Sequence, residues 1–341
     1  MAETTPAPKA ALRVVLWIIT LVAIAATAAV WFSTQSTAAP PRVALVTADQ
    51  TAFWESLIDG AEAAASELGV ELTVERPNGT MDSQTDTLES LLAQGYDGIA
   101  VSPVDAVKQG ITLRKVAAGS RLITVDSDSD LSGRICFVGT DNYGAGRQCG
   151  QLVKEALPAG GRIAIVMGPI DKENGNRRRQ GVIDELLDRS DGPGRPVEPL
   201  EEEHAGDMFT VAATLIDNID PAAAESNVAE LLAADPDIDV LVGLYGYSTP
   251  AILRALQAAG RTDVKVVGFD DDPETLAGVS DGRVFATIAQ DQFNYGYHTV
   301  RLLADAAKGQ AHIAIPLTEK VWYPPLVVRS DNVETFRAGQ N

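Results

Sequence analysis

Several apolar runs in this chain are each closed by a side chain that makes hydrogen bonds. Thr47 follows residues 43–46, Ser102 follows 99–101 and Asp126 follows 122–125; later, Tyr245 follows 240–244, Asp270 follows 266–269 and Gln290 follows 286–289. Taken singly, polar residues in such places start turns or cap helices. As a set they hold carboxylates and amides, which exchange paired hydrogen bonds with adjacent hydroxyl groups. Phe53 and Trp54 add flat rings suited to the C–H faces of a pyranose or furanose. Two adjacent aromatics cannot share one helix face, so one of them should face a crevice or a loop. Arg178, within Asn176-Arg177-Arg178-Arg179-Gln180-Gly181, offers a fork of donors to ring and hydroxyl oxygens, while Arg177 and Arg179 read as solvated residues of a helix's first turn.

Other chemistries find little support. Cys136 and Cys149 are the only cysteines and lack CxxC spacing; an exported chain permits a disulfide between them, and two buried apolar thiols fit equally. His204, His298 and His312 lie far apart without metal-ligand spacing, so neither a metal nor a cofactor is expected. Gly144-Ala145-Gly146-Arg147-Gln148-Cys149-Gly150 resembles a dinucleotide loop, but its third glycine comes one position late and the next strand ends in Gly168 rather than an acidic residue. No Walker loop occurs, and a binding protein rather than an enzyme is expected. A net charge of -20, with no basic run to override it, sets the chain against nucleic acid.

The elements that must position these residues alternate. Apolar, β-branched strands are expected at 42–47, 70–74, 98–101, 122–125 and 135–138, with helices at 53–68, 82–94 and 106–118 between them. A second series has strands at 162–167, 197–200, 240–244, 264–269 and 286–289, and helices at 175–187, 222–234 and 249–259. Such alternation is the mark of parallel sheets covered by helices on both faces. Two sheets of about five strands suit domain size better than one of ten. A helix at 293–308 comes too late for the second series and returns the chain to the first. The fold class is therefore α/β, with two similar doubly wound lobes joined by a multi-strand hinge. In such sheets ligands bind beyond the carboxyl ends of the strands, where the polar set falls.

Ahead of the first strand, residues 14–32 are uncharged and mostly apolar, preceded by Lys9 and Arg13 and followed by a polar stretch and Ala38-Ala39-Pro40-Pro41. The run is long enough for a membrane anchor with the lobes outside the cytoplasm. A cleaved signal ending near Ser36-Thr37-Ala38 is the other reading. No cysteine lies near it to carry a lipid.

Carried by Phe53-Trp54 with Gly60-Ala61, Val101-Ser102-Pro103-Val104-Asp105, Val125-Asp126-Ser127, Val138-Gly139-Thr140-Asp141-Asn142, Arg178-x-x-Gly181, Val266-Val267-Gly268-Phe269-Asp270 and the run closing at Gln290, a resemblance covers residues 42–320. The chain resembles the periplasmic type I sugar-binding proteins of ABC transporters, the ribose-binding protein among them. The resemblance implies sugar contacts at Phe53, Trp54, Ser102, Asp126, Arg178, Tyr245, Asp270 and Gln290, with Thr47, Thr51 and Ser127 as weaker candidates. It implies a first lobe of 42–141 plus 291–319, a second of 142–290 plus 320–341, and crossings near 141–142, 290–291 and 317–320. A monomer delivering a sugar or polyol to a transporter permease follows, or else an anchored receptor serving a sensor or chemotaxis system. The ribose pattern has Asn where Ser102 and Tyr245 stand and Arg where Ser127 stands, which argues against ribose itself.

Overall fold

The computed structural model describes residues 17–24, 27, 39–190, 197–310 and 315–339. Contacts divide the chain into residues 1–40 and 41–341. In the first unit, residues 17–24 are helical and exposed. Apart from Thr27, the rest of the apolar run lies outside the described residues, as does His312, and among those described no helix is long and apolar enough to cross a membrane.

The second unit holds two sheets. The strands are β1 Arg42–Val46, β2 Glu71–Glu75, β3 Gly98–Val101, β4 Arg121–Val125, β5 Cys136–Gly139, β6 Gly161–Met167, β7 His204–Ala205, β8 Phe209–Ile216, β9 Ile238–Gly243, β10 Lys265–Phe269, β11 Ala286–Ala289, β12 Lys320–Trp322 and β13 Leu326–Val328. The helices are α1 Phe53–Leu68, α2 Met81–Ala93, α3 Gly110–Gly119, α4 Asn142–Ala156, α5 Glu173–Leu186, α6 Pro221–Ala234, α7 Ser248–Ala259, α8 Pro273–Asp281, α9 Gln292–Ala307 and α10 Val333–Gly339. The first sheet runs β12-β5-β4-β3-β1-β2, all parallel; the second runs β13-β11-β10-β9-β6-β8-β7, with β13 and β7 antiparallel at its edges.

The inner strands β1, β3, β4, β6, β9 and β10 bury both faces, which explains their apolar runs. In β1, Val43 and Leu45 pack under α1 and α9, whereas Ala44 and Val46 face the opposite core with Leu88 and Leu113. The second sheet divides likewise, Ala164 and Val166 to one side, Ile163, Ile165 and Met167 to the other. Helix pairs α1·α9 and α4·α5 approach backbone to backbone. A Cβ on Gly60 would stand 1.9 Å from the Phe293 carbonyl oxygen and one on Gly296 1.8 Å from that of Leu57; Gly146 and Gly181 meet Arg178 and Tyr143 in the same way, at 2.0 and 2.2 Å. The glycine-rich run at 144–150 is thus a helix surface shaped for close packing, not a nucleotide loop.

The chain passes between sheets after β5, after β11 and after β12. The third passage corrects an expectation. Val321 pairs in register with Val138, so residues 320–322 belong to the first lobe and the crossing falls at 323–325, where Pro324 and Pro325 cannot donate to a ladder. A second correction concerns 197–200, which forms no strand. Its place is taken by β8, while the Glu198 and Pro199 carbonyls accept 2.8 Å hydrogen bonds from Arg179. Arg179 is therefore not solvated: it is fully buried, also donates to Thr214 Oγ1, and burial pulls its pKa down to about 10.

Candidate binding site

The carboxyl ends of the two sheets face each other across a cavity of about 250 Å³, a size for a small ligand. Asp126 follows β4 and Asp270 follows β10, one in each lobe and in matching conformations. Each lies in the left-handed region at φ 64°, where aspartate is tolerated better than most residues. Each donates its backbone N–H to the neighbouring strand, Asp126 to Val138 at 3.0 Å and Asp270 to Ile288 at 2.8 Å. Both carboxyl groups line the cavity.

Asp126 Oδ2 accepts from Ser102 Oγ and from Asn174 Nδ2, both at 3.1 Å; Asp270 Oδ1 accepts from Gln290 Nε2 at 2.7 Å. Asp126 Oδ1 and Asp270 Oδ2 hold no hydrogen bond among the described residues, leaving one acceptor on each carboxylate for a ligand. Burial pushes the Asp126 carboxyl up, against the opposing charges of Arg178 and Lys172. Burial likewise drives Asp270 up to about 7, with Arg178 again opposing.

Arg178, buried on α5, ties the site to two of the crossings. Its Nε donates to Asn142 Oδ1 at 2.9 Å, Nη1 to the Leu244 carbonyl at 2.9 Å and Nη2 to Gln290 Oε1 at 2.8 Å, and the guanidinium lies 4.0 Å over the Phe269 ring. Arg178 and Asp126 stand in opposite lobes. Tyr245 stacks on Tyr247, with ring centroids 5.8 Å apart, and donates to Asn174 Oδ1 at 3.2 Å. Tyr247 in turn donates to Asp217 Oδ1.

Phe53, Trp54, Thr51, Asp126, Arg178, Tyr245, Asp270 and Gln290 all border the cavity. The two aromatics meet edge to face at 5.1 Å, so both reach the wall from adjacent positions; Trp54 is also buried in the core and donates Nε1 to Asp49. Ser102, Thr47 and Ser127 stand behind the wall. Ser102 orients Asp126, Thr47 donates to the Asp49 carbonyl at 2.7 Å, and Ser127 Oγ is buried without a partner.

Sequence reasoning missed Asp49, Lys172, Asn174 and Gln292, which also line the cavity. They lie two or more residues beyond a strand end, where no apolar run points to them. Cys136 in β5 and Cys149 in α4 are both free and buried, in different lobes; burial pushes the thiols up to about 11 and about 12.

Two parallel-sheet lobes, crossed three times and enclosing a cavity lined by aromatic rings and charged side chains, define a solute-binding protein rather than a scaffold with a surface site. The chain belongs to the periplasmic binding protein domain family, whose model matches residues 43–311, and this sets its place of work outside the cytoplasm. It is 26% identical over 259 residues to the ribose import binding protein of Escherichia coli, covering 76% of this chain and 81% of that one. A xylitol-binding protein of Mycolicibacterium smegmatis is 26% identical over 299 residues, covering 86% and 78%. Among solved structures, an ABC transporter solute-binding protein from Burkholderia graminis in complex with D-arabinose superposes with a TM-score of 0.76 at 26% identity, covering 86% of this chain and 96% of that one.

Proposed function

We propose that the chain binds a neutral monosaccharide or polyol between its lobes and presents it, without chemical conversion, to the permease of an ABC transporter. The observation that carries this reading is the pair of buried carboxylates, Asp126 and Asp270, turned towards the cavity from opposite lobes beside an aromatic wall. Hydroxyls donate to carboxylates, and hydroxyls on two sides of a ring or chain engage both lobes at once. Closure is then stabilised by contacts available only when the lobes meet. Arg178 and Lys172 are each balanced by nearby acids, which disfavours an anionic ligand. Relatives named for ribose and xylitol agree with a hydroxyl-rich ligand, and Tyr245, in place of a short amide, argues for a ligand shaped differently from ribose.

As a monomer, the protein works tethered to the membrane by residues 14–32 or released by cleavage after them; intact mass of the mature chain separates the two. The functional test is a melting-temperature screen against D-ribose, D-arabinose, xylitol, myo-inositol and related compounds. At least one raises the melting temperature of the parent, because a ligand bound only by the native state stabilises it, and Asp270→Ala loses that shift. No response to any of them at millimolar concentration overturns the reading.

A further inference from the structure

The segment leaving β6 and entering α5 reaches from the second lobe to the first at three points. Lys108 Nζ donates to Asp171 Oδ2 at 3.3 Å, Lys172 Nζ donates to Asp49 Oδ2 at 3.2 Å, and Asn174 Nδ2 donates to Asp126 Oδ2 at 3.1 Å. The first is a rim pair with side chains 61% and 49% exposed, and solvent screens it. The other two are buried in the cavity wall: Lys172 is 4% exposed and Asn174 2%.

Each partner is fixed on its own side of the cleft. Asp49 Oδ1 accepts from the Thr51 N–H at 3.0 Å, Thr51 Oγ1 at 2.6 Å and Trp54 Nε1 at 2.8 Å, so Oδ2 is the oxygen left for Lys172. Asn174 Oδ1 accepts from the Gly175 N–H at 2.8 Å and from Tyr245 at 3.2 Å, so its amide nitrogen is the end that faces Asp126. Burial pushes the Asp49 carboxyl up, but the Lys172 charge and the bonds from Thr51 and Trp54 outweigh it and hold the group below its ordinary value.

We propose that Lys172 and Asn174 are positioning residues that latch the second lobe onto the first, so that part of the closing energy resides in the chain itself and only the remainder is left to the ligand. Closing brings the Lys172 ammonium and the Asp49 carboxylate together out of water. Without the ammonium, the carboxylate is buried uncompensated, which penalises the closed form and spares the open one. A ligand that needs the closed form then binds more weakly in proportion to the closed fraction lost. The same latch ties closure to the aromatic wall, since Asp49 also holds Trp54.

The test reads lobe separation in the full chain with no ligand added, so its failure leaves the reading of sugar binding untouched. Nitroxide labels at Ser90→Cys on α2 and Ala229→Cys on α6, both exposed, report the distance by double electron–electron resonance. Cys136 and Cys149 are buried and stay unlabelled. The parent gives one short distance. Lys172→Met and Asn174→Asp each raise a longer-distance population by about tenfold, and Lys172→Arg keeps the parent pattern. Asn174→Asp, which sets a second carboxylate against Asp126, opens the cleft further than Asn174→Ala, a ranking that loss of packing alone does not give. Parent-like distances in both Lys172→Met and Asn174→Asp, in protein that still melts cooperatively, overturn the proposal. Should Lys172→Met fail to fold, the ranking of Asn174→Asp against Asn174→Ala decides alone.

Discussion

Asp270 is a carboxyl that the fold makes reluctant to ionise. Its ordinary value is 3.8, and burial carries it to about 7 in spite of Arg178 and Gln290. Between those values the folded protein holds a proton that the unfolded chain has released. The stability this contributes is full below about pH 4 and is lost as pH rises through 7. Melting temperatures of the parent and of Asp270→Asn, measured from pH 4.5 to 8, therefore diverge: the variant lacks this titration and declines less steeply with rising pH. Equal slopes would mean that Asp270 is ionised throughout. Ser102 makes a related point about single residues, because its hydroxyl serves the site through Asp126 and not by touching the cavity. Residue type at a strand end indicated a polar role; whether that role was direct depended on how far the turn carried the side chain.

At the scale of elements, the glycine pairs set how finely the site is placed. The Arg178 carbonyl lies against Gly146, so α4 fixes the helix that carries the guanidinium. Gly146→Ala forces the two helices apart, at a cost of about 1–3 kcal/mol, read as a lower denaturant midpoint. Gly110→Ala is the control, since a Cβ there meets only the end of the Arg114 side chain at 3.4 Å, and its midpoint stays within about 0.5 kcal/mol of the parent. The elements themselves were legible where burial on both faces produced a continuous apolar run, as in β3, or where helical spacing was strong, as in α1. Reading failed where a side chain overruled local pattern. Residues 197–200 look extended and apolar at their ends, yet Arg179 captures their carbonyls; Arg179 looks like a surface charge because no spacing rule reveals a partner a dozen or more residues away. Lys172 and Asn174 were illegible for the same reason, as their partners sit in the other lobe.

For the whole molecule, the order of the strands separates two assembly problems. The second sheet draws β6 to β11 from one continuous stretch and adds only β13 at an edge. The first sheet lacks an edge strand until β12, and α1 lacks its close neighbour until α9. Contacts between distant residues close later than contacts between near ones. In refolding followed by pulsed hydrogen exchange, amides of β6, β9 and β10 gain protection before those of β1 and β3; simultaneous protection would mean that the lobes fold as one unit. Residues 42–141 leave a ribosome well before residues 292–322, so their open sheet edge and the bare Gly60 face of α1 stay uncovered until that later segment arrives. The lobe begun first is thus the last to be sealed, which makes it the part most exposed to misassembly.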